Sequence, residues 1–204
     1  LIKDLKKYNF DKIFIFNSSF RFNLIARFSN IPEIYQYQLF QKNEQHITNA
    51  PKKFLKDKLD LDINEDPEIN INDELILKSI KEFKIQKNEL NMILGIGGSG
   101  PTKRIPPKIF LSLIGKILKL RKSKFFLATG KDKGEQVILK EIINSEFKDF
   151  CVPLDSLKIN EILPIIKCCD LSICNDTSFS HLSAALGVKT ITLMADTPLI
   201  YGSY

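Results

Sequence analysis

Apolar positions along the chain fall into two kinds of run, and the two alternate. From Asn91 onward, short unbroken apolar stretches take turns with longer segments whose apolar residues recur every three or four positions. The short runs read as strands at residues 92–97, 124–129, 150–152, 171–175 and 190–194, and the longer ones as helices at 107–120, 133–143, 158–169 and 179–186. Because the strands are continuously apolar, helices must cover both faces of the sheet, which predicts a parallel α/β arrangement with right-handed crossovers. Pro164 falls inside the third of these helices, where it removes a hydrogen bond and costs about 3 kcal/mol unless the helix kinks or starts late.

The front of the chain is less regular. Residues 12–17 read as a strand and 20–28 as a helix, giving one strand and one helix; 34–64 is polar and dotted with aromatics, with Pro51 and a Lys-rich helical piece at 54–59. An acidic stretch at 64–68 marks a boundary, followed by helical spacing at 74–83. The expected organisation is a partial domain at 1–64, a linker and connecting helix at 65–90, and an α/β domain at 91–204. The last can bury something over 60% of its unfolded surface, whereas one strand and a few helices lack a sheet to cover. The chain opens without methionine and stops after an apolar run and Thr197-Pro198, so both ends read as cut.

Composition narrows the class. No stretch approaches the roughly 18 apolar residues of a membrane span, and the start lacks a signal peptide's pattern, so a cytoplasmic protein is expected. The formal charge of +6 raises nucleic acid as a partner, but the lysines are scattered and no base-stacking aromatics interleave with them. The densest basic cluster, Lys116, Lys119, Arg121, Lys122 and Lys124, sits at a predicted helix end, where cations offset the macrodipole; its other reading is a basic face for an acidic acceptor or lipid. Cys151, Cys168, Cys169 and Cys174 form no C-x-x-C pair, so they read as buried thiols, and no metal or cofactor is expected.

Two loops carry candidate chemistry. Gly95-Ile96-Gly97-Gly98-Ser99-Gly100 follows a predicted strand and formally matches G-x-G-x-x-G. Pro101 follows at once, however, the helix starts only at Pro107, and no acidic residue stands about 20 positions later, so the dinucleotide fingerprint is a poor fit. A Walker A loop fails as well, since Pro-Thr follows Gly100. What remains is a glycine-rich loop carrying Ser99, Thr102, Lys103 and Arg104, suited to binding an anion through backbone N–H groups and a cation. The second loop, Asn175-Asp176-Thr177-Ser178-Phe179-Ser180-His181, opens a helix, whose N-terminus is itself an anion site. Simple capping by Asp176 or Ser178 is the plainer reading of each residue taken singly. Both loops follow strands of one parallel sheet and so share the edge where ligands bind.

Together with Phe126 to Gly130, Pro101-Thr102-Lys103-Arg104-Ile105-Pro106, the run from Cys169 through His181-Leu182-Ser183-Ala184-Ala185-Leu186-Gly187, and Asp196-Thr197-Pro198 resemble glycosyltransferase family nine, the ADP-heptose:lipopolysaccharide heptosyltransferases. The resemblance is strongest from Met92 to Tyr204. It implies a GT-B fold, with a Rossmann-like donor domain at 91–204 and the remnant of an acceptor-side domain at 1–64. By position, Lys103 would neutralise the leaving diphosphate, Ser99 and Thr102 would lie at the phosphates, and Asp176 would hold sugar hydroxyls. Thr177, Ser178 and His181 would surround the sugar and phosphates, Leu157 would meet the nucleobase, and Glu135 would bind the ribose. Ile105 and Ser178 depart from the family's tryptophan and glycine, and the glycine loop lacks the usual opening proline. Ser178 would hinder a close approach if its position required positive φ.

The implied reaction is inverting transfer of heptose or a related sugar from a nucleotide-sugar, ADP-heptose foremost, to a lipopolysaccharide-core or other glycan acceptor, with peripheral contact to the inner membrane face. The family's general base lies in a segment not found here, and His46 is isolated, so weak or no transfer by this chain alone is expected. Two further readings stay open: another GT-B enzyme using UDP-sugars, and a non-catalytic nucleotide-binding remnant.

Overall fold

The computed structural model describes residues 1–38, 46–195 and 197–202. The chain divides into two compact units, Leu1–Glu65 and Asp66–Tyr204.

The first unit runs α1 (Ile2–Lys7), β1 (Lys12–Ile15), α2 (Phe20–Phe28), β2 (Glu33–Gln36) and α3 (Asn49–Leu59). β2 is a strand that the hydrophobic pattern does not reveal. Its four residues, Glu-Ile-Tyr-Gln, carry little apolar signal, and it exists through its parallel pairing with β1 from Lys12↔Glu33 to Ile15↔Gln36. Cross-strand side chains hold that register: Lys12 pairs with Glu33 at 3.1 Å and Phe14 stacks on Tyr35 with ring centroids 5.0 Å apart, the kind of pair that stabilises sheets. Phe54 of α3 closes the unit by packing edge-on against Phe16 and Tyr37.

The second unit contains α4 (Asp73–Glu82), β3 (Leu90–Gly95), α5 (Pro107–Leu120), β4 (Ser123–Ala128), α6 (Lys133–Ile143), β5 (Cys151–Pro153), α7 (Ile159–Lys167), β6 (Leu171–Asn175), α8 (Ser178–Ala185) and β7 (Lys189–Leu193). Its five strands are all parallel in the order β5-β4-β3-β6-β7. This is a doubly wound α/β arrangement, starting at the central strand and growing outward in both directions.

Pleating sends successive residues to opposite faces. Met92, Leu94, Phe125 and Leu127 pack with Phe110, Ile114 and Ile142 of α5 and α6. Ile93, Phe126 and Ala128 face the other way, onto Ile162, Ile165 and Ile166 of α7 and Phe179 of α8. Segment 66–90 joins this second layer: Ile69, Ile71, Phe83 and Ile85 pack against it, and the Ile69 N–H donates to the Ala185 carbonyl at 2.8 Å. Four of the five strands begin one or two residues away from where the apolar runs place them, while α5, α6 and β6 match to the residue. α7 starts one residue late and runs through Pro164. The carbonyl that proline leaves without an i+4 donor belongs to exposed Asn160, where water can satisfy it.

Candidate functional site

Chain growth reverses direction between β3 and β6, so the loops leaving their carboxyl ends diverge and open a crevice. Side chains span it at two points. Asn175, fully buried at the end of β6, donates its amide to the carbonyls of Ile96 (3.1 Å) and Gly97 (3.0 Å), fastening the glycine loop beyond the last paired residues, Gly95 and Cys174. Its Oδ1, like the Thr177 Oγ1 two residues on, is buried without a partner among the described residues.

The glycine loop is braced from two sides at Gly98. The Gly98 N–H donates to Glu135 Oε1 at 2.7 Å, and its carbonyl accepts from Arg104 Nε at 2.8 Å. Arg104 is in turn anchored to Asp132, the N-cap of α6, at 2.7 Å. Glu135 Oε2 accepts from the Gly130 N–H at 2.6 Å and from the Thr129 hydroxyl at 3.3 Å, so its carboxylate joins the loops after β3 and β4. The nearness of that carboxylate explains two glycines. A Cβ on Gly97 would lie 2.9 Å from Oε1, and one on Gly130 would lie 2.4 Å from Oε2. Replacing Glu135 with Gln puts an NH2 donor against a backbone N–H that needs an acceptor. It is expected to cost about 1–3 kcal/mol, read as a lower urea midpoint.

Between the loops after β3 and β6, Lys103 Nζ meets Asp176 Oδ2 at 2.7 Å across 73 residues of sequence. The Thr197 hydroxyl, from the segment after β7, donates to the same Oδ2. Burial raises the Asp176 pKa, but hydrogen bonds from Lys103 and Thr197, with the charges of Lys103 and His181, outweigh it and hold the carboxyl below its ordinary 3.8. A depressed carboxylate pKa stabilises the fold at pH above the unfolded value, and that contribution is lost as pH falls through the lower folded one. An acid titration followed by NMR should therefore show Asp176 protonating only below the ordinary 3.8, with site order lost in that same acid window.

The structure thus brings Lys103, Asp176 and His181 together, with Thr177 at the N-cap position of α8, its hydroxyl making no capping bond. Ser99 and Thr102 stand exposed on the glycine loop. Ser178 is the first residue of α8 with ordinary backbone, not among the positive-φ residues, so the serine fits without strain. Leu157 lies half-buried in the loop after β5, separated from β6 by β4 and β3. His46 belongs to the first unit, with Nδ1 2.8 Å from the Thr48 hydroxyl. Asp196 lies outside the described residues. The sequence places Asn175 and Arg104 in the two candidate loops and Thr197 in the D-T-P string, but only the fold shows their partners: Ile96 and Gly97, Gly98 and Asp132, and Asp176.

Burial pushes the Cys151 thiol up to about 12 and that of Cys174 to about 11, so both stay protonated near neutrality. Among the described residues no three His, Cys, Asp or Glu side chains are grouped to hold a metal ion. None of the described helices is long and apolar enough to cross a membrane.

The sequence profile of glycosyltransferase family 9 (heptosyltransferase) matches residues 1–201. The chain belongs to glycosyltransferase family 9. A lipopolysaccharide heptosyltransferase 1 from Campylobacter coli is 32% identical over 128 residues, 60% of this chain and 37% of that protein. Among solved structures, the E. coli ADP-heptose lipopolysaccharide heptosyltransferase II superposes with a TM-score of 0.78 at 15% identity, covering 98% of this chain and 67% of its own. A family 9 glycosyltransferase from Veillonella parvula gives 0.79 at 16%, covering 99% and 63%. An E. coli heptosyltransferase solved with ADP gives 0.71 at 14%, covering 100% and 66%. This family 9 chain thus spans about two thirds of the solved structures and shares their fold.

Proposed function

We propose that the crevice between β3 and β6 binds a nucleotide-sugar, ADP-heptose foremost, as the donor site of a heptosyltransferase acting on a lipopolysaccharide-core or related glycan. Residues 91–204 form the donor domain on this reading, and 1–64 contribute to the acceptor side. The observation that carries it is the convergence of Lys103 and Asp176 at the carboxyl edge of the sheet, in a chain of this family.

The roles follow from charge. A diphosphate and a carboxylate repel, so one pocket can serve both only if a cation stands between them. Lys103 does so: its ammonium has three donors, one engaged on Asp176, leaving others for phosphate oxygens. The N-terminus of α8 adds backbone donors and the positive end of its dipole. Asp176, an acceptor held on one oxygen by Lys103 and Thr197, then accepts hydrogen bonds from sugar hydroxyls on the other. When an acceptor hydroxyl attacks the anomeric carbon, its proton passes to a general base outside these residues, the bond to the diphosphate breaks, and Lys103 offsets the charge that develops on the leaving oxygen. Glu135 shapes the loop and keeps lone pairs for a ribose hydroxyl. Work in the cytoplasm, at the inner membrane face, belongs to the same reading.

Calorimetric titration of the chain with ADP, UDP and ADP-heptose tests this. ADP should bind in preference to UDP, and ADP-heptose more tightly than ADP. A folded chain that binds none of them, or prefers UDP, would overturn the assignment.

A further inference from the structure

Asp176 Oδ2 is shared by two donors of different character. Lys103 reaches it with a long, flexible chain that is a quarter exposed, and its ammonium is the group that Asp176 must share with a phosphate. Thr197 reaches it with a hydroxyl on a short β-branched side chain of few rotamers. A carboxylate only 8% exposed cannot be left without donors unless it takes up a proton or swings toward water. When Lys103 divides its donors between Asp176 and phosphate, the hydroxyl of Thr197 is the donor committed to the carboxylate alone.

We propose that Thr197 is a positioning residue of the donor site, holding Asp176 in the orientation that reads the donor's sugar hydroxyls while Lys103 engages the phosphates. The proposal rests on the donor-site reading above. It makes Thr197, which follows β7, a third contributor to the crevice, beside the loops after β3 and β6. It also divides recognition: nucleotide and phosphate binding follow Lys103, whereas preference for the sugar-bearing nucleotide follows the Thr197–Asp176 hydrogen bond. A hydrogen bond to a charged group contributes enough to set roughly a tenfold preference.

The test compares Thr197→Val, which keeps shape but loses the hydroxyl, with Thr197→Ser, which keeps the hydroxyl. ADP and ADP-heptose affinities are measured by calorimetry and the Asp176 carboxyl is titrated by NMR. Thr197→Val should leave ADP affinity within about twofold, reduce the preference for ADP-heptose over ADP about tenfold, and raise the Asp176 pKa. Thr197→Ser should restore all three. In an Asp176→Ala background, Thr197→Val should change the preference no further, because the residue acts through that carboxylate.

An Asp176 pKa that does not move in Thr197→Val overturns the proposal, and so does an unchanged sugar preference where the parent chain shows one. Should the parent chain bind neither nucleotide while Thr197→Val still raises the Asp176 pKa and Thr197→Ser restores it, the donor-site reading fails. The role of Thr197 in orienting the carboxylate then stands by itself.

Discussion

Lys103→Ala is expected to weaken ADP binding by tenfold to a hundredfold, the loss of one or two charge-assisted hydrogen bonds. Two effects act in the same direction. The ammonium that would meet the diphosphate disappears, and Asp176 loses the cation that shields the phosphates from it. Two unit charges about 4 Å apart interact by roughly 4 kcal/mol at an effective dielectric near 20, so an unshielded carboxylate beside a diphosphate is a substantial repulsion even after solvent screening. The two contributions separate in a second variant. Asp176→Asn removes the repelling charge, so Lys103→Ala/Asp176→Asn should recover part of the ADP affinity lost in Lys103→Ala. Asp176→Asn by itself should keep ADP affinity and lose the preference for ADP-heptose. Calorimetry on the four proteins forms a double-mutant cycle. If Lys103→Ala binds ADP as well as the parent chain, the lysine is no phosphate ligand and the ion pair with Asp176 is purely structural.

What could be read in the sequence depended on whether a local pattern carried it. The helix Pro107–Leu120 announces itself by a proline at its first position and a regular apolar stripe, and it folds over those residues. Strand Leu171–Asn175 is a short apolar run between polar turns, and it too forms where read. Glu33–Gln36 has no such signature, because its pairing with Lys12–Ile15 lies 21 positions away in register and its support comes from that partner. The site divides in the same manner. Lys103 and Asp176 stand in loops whose composition already suggested anion and hydroxyl chemistry. Their direct contact, the reach of Asn175 across 78 and 79 positions, and the clasp of Gly98 by Glu135 37 positions away are products of sheet order. Arg104 shows the limit of reading by residue type. A basic residue in a glycine loop suggests a phosphate ligand, and the fold adds a second task, since its guanidinium bonds Gly98 and Asp132 and so stiffens the loop.

The glycine that such a motif search places first in the loop has its own reason, and Gly95→Ala should be the most destabilising small substitution in the second unit. Gly95 is the last residue of β3 and pairs in register with Cys174 of β6. A Cβ there would lie 2.4 Å from the Cys174 Sγ, 2.7 Å from its Cβ and 3.1 Å from its Cα. The side-chain end of that contact could rotate away, but the Cβ and the backbone behind it cannot, so β3 and β6 must separate at the point where the crevice opens. Overpacking of this kind costs about 1–3 kcal/mol or more, and a unit of this size loses roughly 3–4 °C in Tm per kcal/mol, so a drop near 10 °C is expected. Cys174→Gly removes both the sulfur and the Cβ, leaving only the 3.1 Å contact. The pair Gly95→Ala/Cys174→Gly should therefore be less destabilised than the sum of its single changes, as residues in contact are. A thermal melt that places Gly95→Ala within 2 °C of the parent chain would show that the strands part easily here, and that the close seam between β3 and β6 does not set the geometry of the crevice.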